Sequence, residues 1–320
     1  MAKSRSALSV LPAHLIEKVA DQYQLGPDAR CELLHAGYND TYLVESNRRK
    51  TILRVYGGHR RTANDIDVEL RALEYASDRG ASVSTPIRRE DGQFGTWLRS
   101  DEMRRFAVMF SFAEGHVDPF EDPHKPYQYG VQVALLHSAL DGFADTGKRI
   151  ALDRRYLVDD SVALAEARLG KVDRQYLRHV AANLGERLDT FTTELLDYGF
   201  CHGDLQGGNC HWVGDSVTHF DFDFGGFGWR AYDVAVFKWN AEFVGADWWP
   251  HFERGYASQR PLGEAERAAI PLFVVARHVW MFARWIELSR DRGNDFVSGQ
   301  LTDQVLGMLR RLDLEIGLTR

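Results

Sequence analysis

The stretch "FCHGDLQGGNCHW" (Phe200–Trp212) is followed after a short gap by "HFDFDFGGFGWRAYD" (His219–Asp233), and the pair decides what this chain is. Asp204, Asn209, Asp221 and Asp223 stand here among aromatic and β-branched neighbours that favour burial, where an unpaired carboxylate is costly. In "HGDLQGGN" two glycines loosen the turn between Asp204 and Asn209. After Asn209 the order of residues reads as a hairpin: His211 to Val213, a Gly214-Asp215 turn, then Val217 to Phe222. Such a hairpin returns Asp221 to the side of Asn209. Hard oxygen ligands from Asn209 and Asp221 suit Mg2+, which takes one or two protein oxygens and completes its shell with phosphates and water. Asp204 is then left to orient a nucleophile. An aspartate base beside two magnesium ligands is what phosphoryl transfer needs, because that chemistry rests on positioning and charge neutralisation. The plainer reading makes these aspartates turn formers; it fits Asp215, and it fits the other three poorly. His202 is expected to hold the loop by hydrogen bonds, and His211 and His219 to be ordinary strand residues.

Working outward, "CELLHAGYNDTYLVESNRRKTILRVYGG" from Cys31 reads as strand, glycine turn, strand, charged turn, strand. "ANDIDVELRALEYASDRGA" is a helix with Ile66, Leu70 and Leu73 on one face and Gly80 as its stop. "GTWLRS" and "RRFAVMFSF" form a second hairpin. Beyond Gly115 the spacing turns helical, as in "YQYGVQVALLHSAL", "RQYLRHVAANLGERLDTFTTELL" and most of residues 231–316; two short strands are expected around the opening motif only. The fold class is α+β with two lobes: a small antiparallel sheet with one helix in residues 1–112, and a larger, mainly helical part in 113–320.

Composition narrows the partners. The chain has 320 residues, 44% hydrophobic and 12% aromatic, which is ample for a real core. Its 39 Lys and Arg against 46 Asp and Glu give a net charge of -7, which speaks against nucleic-acid binding as the main task. The arginines at 48, 49, 54, 60, 61, 310 and 311 read mostly as solvated surface. The three cysteines lack any CxxC spacing and suit a reducing cytoplasm. The N-terminus lacks the long apolar run of a signal peptide, no window matches a membrane span, and residues 12–24 read as a short helix. A cytoplasmic monomer or homodimer is the expectation.

"HGDLQGGN" followed by "FDFDFGG" resembles the catalytic and metal-binding segments of the aminoglycoside phosphotransferase and choline kinase superfamily, whose fold is protein-kinase-like. Glycine between His202 and Asp204 marks the small-molecule branch. "RHVWMFARWIELSRDRG" and "VLGMLRRLDLE" are most similar to members described as homoserine-kinase-type or stress-response-kinase-like. The resemblance implies ATP and Mg2+ as cofactors and the following sites. "LLHAGYNDTYLVE" takes the place of the phosphate-covering hairpin, with backbone N–H groups around Gly37, Tyr38 and Asn39 approaching phosphate. Arg54 of "TILRVYG" replaces the usual lysine on the nucleotide phosphates, and Ile52, Arg54 and Tyr56 share one strand face. Glu69 is its partner acid, with Glu74 the second choice. Backbone groups of Ser111 and Ala113 in "VMFSFAEG" hold adenine. Asp223, taken to share a strand face with Asp221, supports the metal shell or a second ion, and Asp233 ties the metal loop to the large lobe.

The acceptor pocket is expected in "FKWNAEFVGADWWPHFERGY", lined by Trp239, Trp248, Trp249 and Tyr256, with Trp280 and Trp285 from a later helix. Glu242, Asp247 and Glu253 are too few acids to single out a polycationic sugar. An amino alcohol, an amino acid or an antibiotic hydroxyl is the expected acceptor. Two other readings stand beside it: a protein serine/threonine kinase of the stress-response type, and a catalytically weak nucleotide-binding regulator, for which Arg54 is the only support.

Overall fold

The computed structural model describes residues 13–319 apart from 27, 48, 58–60, 101–102, 146, 148 and 293–295. The expectations for the extreme N-terminus, Arg48 and Arg60 lie outside the described residues.

The first element among the described residues is α1 (Ala13–Gln22), followed by β1 (Arg30–Ala36), β2 (Asp40–Glu45), β3 (Lys50–Val55), α2 (Ala63–Asp78), β4 (Pro86–Ile87), β5 (Gly95–Ser100) and β6 (Met103–Ser111). These strands make one sheet in the order β1-β2-β3-β6-β4, with β5 also paired to β6, and every pairing is antiparallel. Strand alternation on β3 runs as the spacing predicts. Leu53 and Val55 pack with Leu15, Val19 and Tyr23 on the α1 side, while Ile52 and Tyr56 join the larger core that α2 feeds with Ile66, Leu70 and Leu73. α2 begins at a capping box between Thr62 and Asp65, which satisfies two of its free N-terminal N–H groups, and ends where Gly80 turns the chain at φ +86°.

The remainder is mainly helical: α3 (His124–Ala139), β7 (Ala151–Leu152), a π-turn at 155–159 leading into α4 (Asp160–Ala165), α5 (Lys171–Leu188), β8 (Tyr198–Cys201), the hairpin β9 (Cys210–Val213) and β10 (Ser216–His219), β11 (Gly226–Trp229), α6 (Arg230–Val244), α7 (Trp249–Gln259), α8 (Glu264–Arg292) and α9 (Gly299–Ile316). α3 packs on α7 and α6 on α8. α8 is long and apolar enough by composition to cross a membrane, yet 78% of its most apolar window is buried inside the fold, as befits a core helix. The sequence pattern overran at one end. α5 stops at Leu188, because Thr190 turns its hydroxyl back onto the Arg187 carbonyl and the Thr-rich stretch beyond leaves the helix. It also missed β7 and β11, which join β8 in a three-stranded sheet beside the opening motif, in the order β7-β11-β8. β7 has two residues, too few to show periodicity, and β11 is Gly-Phe-Gly-Trp, whose two glycines read as a turn.

Candidate active site

The opening motif is a loop between β8 and β9, and the chain fixes it from below. Asp233, fully buried near the start of α6, accepts the N–H of His202 at 2.6 Å and of Gly203 at 2.8 Å. His137 of α3 meets the same carboxylate through Nε2 at 3.2 Å, while its Nδ1 lies 2.8 Å from the Tyr256 hydroxyl. Burial holds the His137 ring below its ordinary pKa, so it stays neutral there. Asp233 therefore anchors the His202–Gly203 loop itself, not the 221–225 segment it was expected to tie down. His202 holds the loop as its position suggested. Its Nδ1 accepts the Asp204 N–H at 3.2 Å, and its Nε2 donates to the Phe220 carbonyl at 2.9 Å. Gly203 sits at φ +79°, and a Cβ there would lie 2.2 Å from the Phe224 carbonyl oxygen, so only glycine lets the 202–209 loop rest on the turn at 222–225.

The β9–β10 hairpin does bring the metal segment back: the Phe220 N–H donates to the Asn209 carbonyl at 3.0 Å. Asn209 is buried and aims its Nδ2 at the Asp204 carbonyl and at Asp204 Oδ2, both at 2.9 Å, which turns its amide oxygen away as an acceptor. The strand ends earlier than the spacing suggests, at His219. Asp221 takes the left-handed conformation (φ 68°, ψ 59°) and residues 222–224 form a tight turn. Asp221 and Asp223 consequently do not share a strand face. The Asp221 carboxylate is 45% exposed and meets Arg54 Nη2 at 3.0 Å. The Asp223 carboxylate is buried, faces Arg61 at 3.6 Å, and keeps an Oδ1 with no hydrogen-bond partner.

Arg54 projects from β3 into this site. Its Nη1 lies 3.4 Å from Glu69 Oε1, so Glu69 of α2 is the partner acid; Glu74 instead pairs with Arg88 at the surface. Tyr56 donates to the same Glu69 oxygen at 3.3 Å. Burial pushes the Glu69 carboxyl above the usual carboxylate range, against the opposing pull of Arg149 and then Arg54.

Other expected nucleotide contacts are partly committed elsewhere. Gly37 donates its N–H to the Asn39 carbonyl at 3.0 Å, inside the turn, and the Asn39 side chain accepts from the Gly57 N–H at 3.1 Å. The Tyr38 side chain reaches across to α8, where its hydroxyl donates to the Arg284 carbonyl at 2.5 Å and its ring meets Phe224 edge-on. Ser111 donates its N–H to the Thr85 carbonyl and accepts from the Ser84 hydroxyl, so its backbone N–H is not available to adenine. Ala113 accepts at its carbonyl from His211 Nδ1 at 2.7 Å. His211 is thus more than a strand filler, because it ties the β9 hairpin to the crossing segment.

Two arginines escaped the sequence reading. Arg277 of α8 is 1% exposed, pairs closely with Asp204 Oδ1, donates to the Gly203 carbonyl at 3.2 Å, and lies between the rings of Trp239 and Trp280. Arg149, also buried, reaches Glu69 and the carbonyls of the metal loop. Nothing in the pattern around Arg149 distinguishes it from a surface arginine, whereas Phe273, Val274, Trp280 and Met281, three and four residues from Arg277, set that arginine on an apolar helix face. The aromatic expectation divides accordingly. Trp239 and Trp280 flank the Arg277 guanidinium, whereas Trp248 and Trp249 open α7 and pack with Phe120, Phe237 and Phe252, and Tyr256 belongs to the His137 network.

Among the described residues no three His, Cys, Asp or Glu side chains converge into a self-sufficient metal cage. The hard oxygens near this place are the Asn209 amide oxygen, the exposed Asp221 carboxylate and the buried Asp223 carboxylate, whose Oδ1 has no hydrogen bond but lies 3.6 Å from Arg61. Such hard oxygens fit a cation whose remaining ligands come from phosphate and water.

The family model described as the phosphotransferase enzyme family (APH) matches residues 30–270. The chain belongs to the phosphotransferase enzyme family. Among relatives of this phosphotransferase, an uncharacterized protein of Deinococcus radiodurans is 37% identical over 289 residues, 87% of this chain and 84% of that protein. A homoserine kinase of Rhizobium johnstonii is 29% identical over 242 residues, 73% of this chain and 72% of its own. In fold it is similar to an amicoumacin kinase solved in complex with AMP-PNP, Ca2+ and Ami, with a TM-score of 0.77 at 22% identity, covering 95% of this chain and 92% of that one. The mixed α+β fold, an antiparallel sheet followed by a helical region, is that of protein-kinase-like phosphotransferases, and the family is one of small-molecule kinases.

Proposed function

We propose that the protein transfers the γ-phosphate of ATP to a hydroxyl of an amino alcohol, an amino acid or a hydroxylated antibiotic. The observation that carries this is the meeting of three elements at one place. Arg54 from β3 reaches Asp221 of the metal loop, while Asn209 of the catalytic loop holds Asp204. In this reading the nucleotide lies between residues 1–112 and 113–320. Bound Mg2+ would neutralise phosphate charge and bridge phosphate oxygens. Asn209 through its amide oxygen and Asp221 through its carboxylate would hold it, with Asp223 supporting. Arg54 would leave Asp221 for the phosphates when the nucleotide enters, with Glu69 keeping its guanidinium in place. Arg277 and Asn209 each donate to one oxygen of Asp204, which fixes the rotamer and leaves lone pairs on both oxygens to accept the proton of the attacking hydroxyl. The Arg54–Glu69 pair supports an active enzyme over the catalytically weak regulator, since Arg54 is held as a phosphate-gripping cation would be. The test is an ATP-consumption screen of the purified protein across amino alcohols, amino acids and hydroxylated antibiotics, with mass spectrometry of the hit. A product heavier by one phosphoryl group on a hydroxyl supports the reading; no ATP consumption with any acceptor class sinks it.

A further inference from the structure

The metal loop presents a difficulty that the residues named so far do not solve. Asp221 is a non-glycine residue in the left-handed region, and such a conformation persists only where its surroundings over-determine it. The tight turn that follows aims the carbonyls of Phe222, Asp223 and Gly225 toward one spot inside the protein. Arg149 fills that spot. Its Nη2 donates to the Phe222 carbonyl at 2.9 Å and the Asp223 carbonyl at 2.8 Å, and its Nε donates to Gly225 at 2.7 Å. The same guanidinium meets Glu69 Oε2 at 3.3 Å, and through Nη1 it donates to the Asp65 carbonyl at 2.9 Å, both on α2. Glu69 is thereby held by two arginines, one on each oxygen: Arg54 on Oε1 and Arg149 on Oε2. The topology supplies the reach. β7 runs parallel to β11 with Ala151 opposite Phe227, which sets residue 149 level with Gly225. Gly226 permits that approach, since a Cβ there would lie 2.2 Å from the Ile150 carbonyl oxygen.

We propose that Arg149 is a positioning residue for metal binding: it clamps the 222–225 carbonyls to α2 and so holds the Asp221 carboxylate where the nucleotide-bound cation needs it. This rests on Asp221 being a metal ligand. Lysine has a single ammonium and cannot span carbonyls at 65, 222, 223 and 225 together, so charge alone does not replace the fork.

The test measures AMP-PNP affinity by calorimetry, once with excess Mg2+ and once in EDTA, for wild type, R149M, R149K and a distant control, R260M. Arg260 pairs with Asp141 and Asp197, away from the nucleotide side. R149M is expected to lose at least tenfold in the Mg2+-dependent gain in affinity, with AMP-PNP binding in EDTA changed less than threefold. R149K is expected to fall between the two, and R260M to lower the melting temperature with the gain unchanged. An unchanged gain in folded R149M or R149K overturns the proposal, as does an equal loss with and without Mg2+. If R149M does not fold, R149K decides by the same criteria; failure of both to fold makes Arg149 a residue of global stability and also overturns it. A wild-type protein that binds no AMP-PNP refutes the functional reading instead.

Discussion

Asp204→Asn tests the base and its buried partner together. The carboxylate now gives one oxygen to Arg277 and the other to Asn209 Nδ2. An asparagine has only one acceptor oxygen, so either Arg277 or Asn209 must face a donor. Arg277 is 1% exposed, and its guanidinium would keep the Gly203 carbonyl and the two indole faces but no opposing charge. Removing one partner of a buried ion pair costs about 3–5 kcal/mol, and the surviving contacts place this case near about 3. For a chain of this size that lowers the melting temperature by roughly 4–5 °C. Turnover should fall by about 10²–10⁴-fold, the usual worth of a positioned base. The double variant Asp204→Asn/Arg277→Met removes the stranded charge and leaves an apolar side chain between Trp239 and Trp280; it should regain most of the lost stability and none of the activity. Thermal melts and steady-state ATP turnover on the three proteins read out both effects. An unchanged melt in Asp204→Asn refutes the ion pair. Turnover within tenfold of wild type refutes the base, and a double variant no more stable than the single one refutes the charge account.

Asp221→Ala should remove tight MgATP binding, since the cation loses its exposed carboxylate; unchanged affinity by calorimetry contradicts this. Arg54→Lys should stay active while Arg54→Ala weakens ATP binding and leaves Arg149 as the one cation on Glu69 among those described, beside the Tyr56 hydroxyl, and wild-type ATP kinetics in Arg54→Ala would end that claim. His278 accepts from the Trp239 indole at Nδ1 (3.1 Å) and donates from Nε2 to the Val305 carbonyl (2.8 Å), and burial lowers its pKa to about 4. Because the unfolded ring titrates near about 6.5, the unfolded state takes up the proton first, and stability falls as the pH drops below that value. Between pH 7.5 and pH 5 the loss should be about 2 kcal/mol from this ring. Urea unfolding at both values should show His278→Gln losing less than wild type by that amount, and an identical pH dependence in the two proteins would refute it.

The sequence alone determined the α+β class, the strand pattern through Ser111, the helix α2 with Ile66, Leu70 and Leu73 on one face and its stop at Gly80, and the family, because each rests on local spacing or a short motif. Period-two and period-3.6 patterns, a glycine stop and a short motif are properties of neighbours along the chain. Tertiary structure decided what sequence neighbours cannot. The left-handed residue at Asp221 and the tight turn after it sent Asp221 and Asp223 to different surroundings, although their spacing of two suggested one face. Thr85 and Asn39 took the N–H groups of Ser111 and Gly37, contacts set by strands and turns far along the chain or folded back on themselves. Arg277 and Arg149, in no motif, reached the base and the metal loop from 73 and 74 residues away. A long, flexible cation looks the same in a sequence whether water or a buried carboxylate awaits it, and only the packing of α8 and the register of β7 on β11 settled which of these arginines are inside.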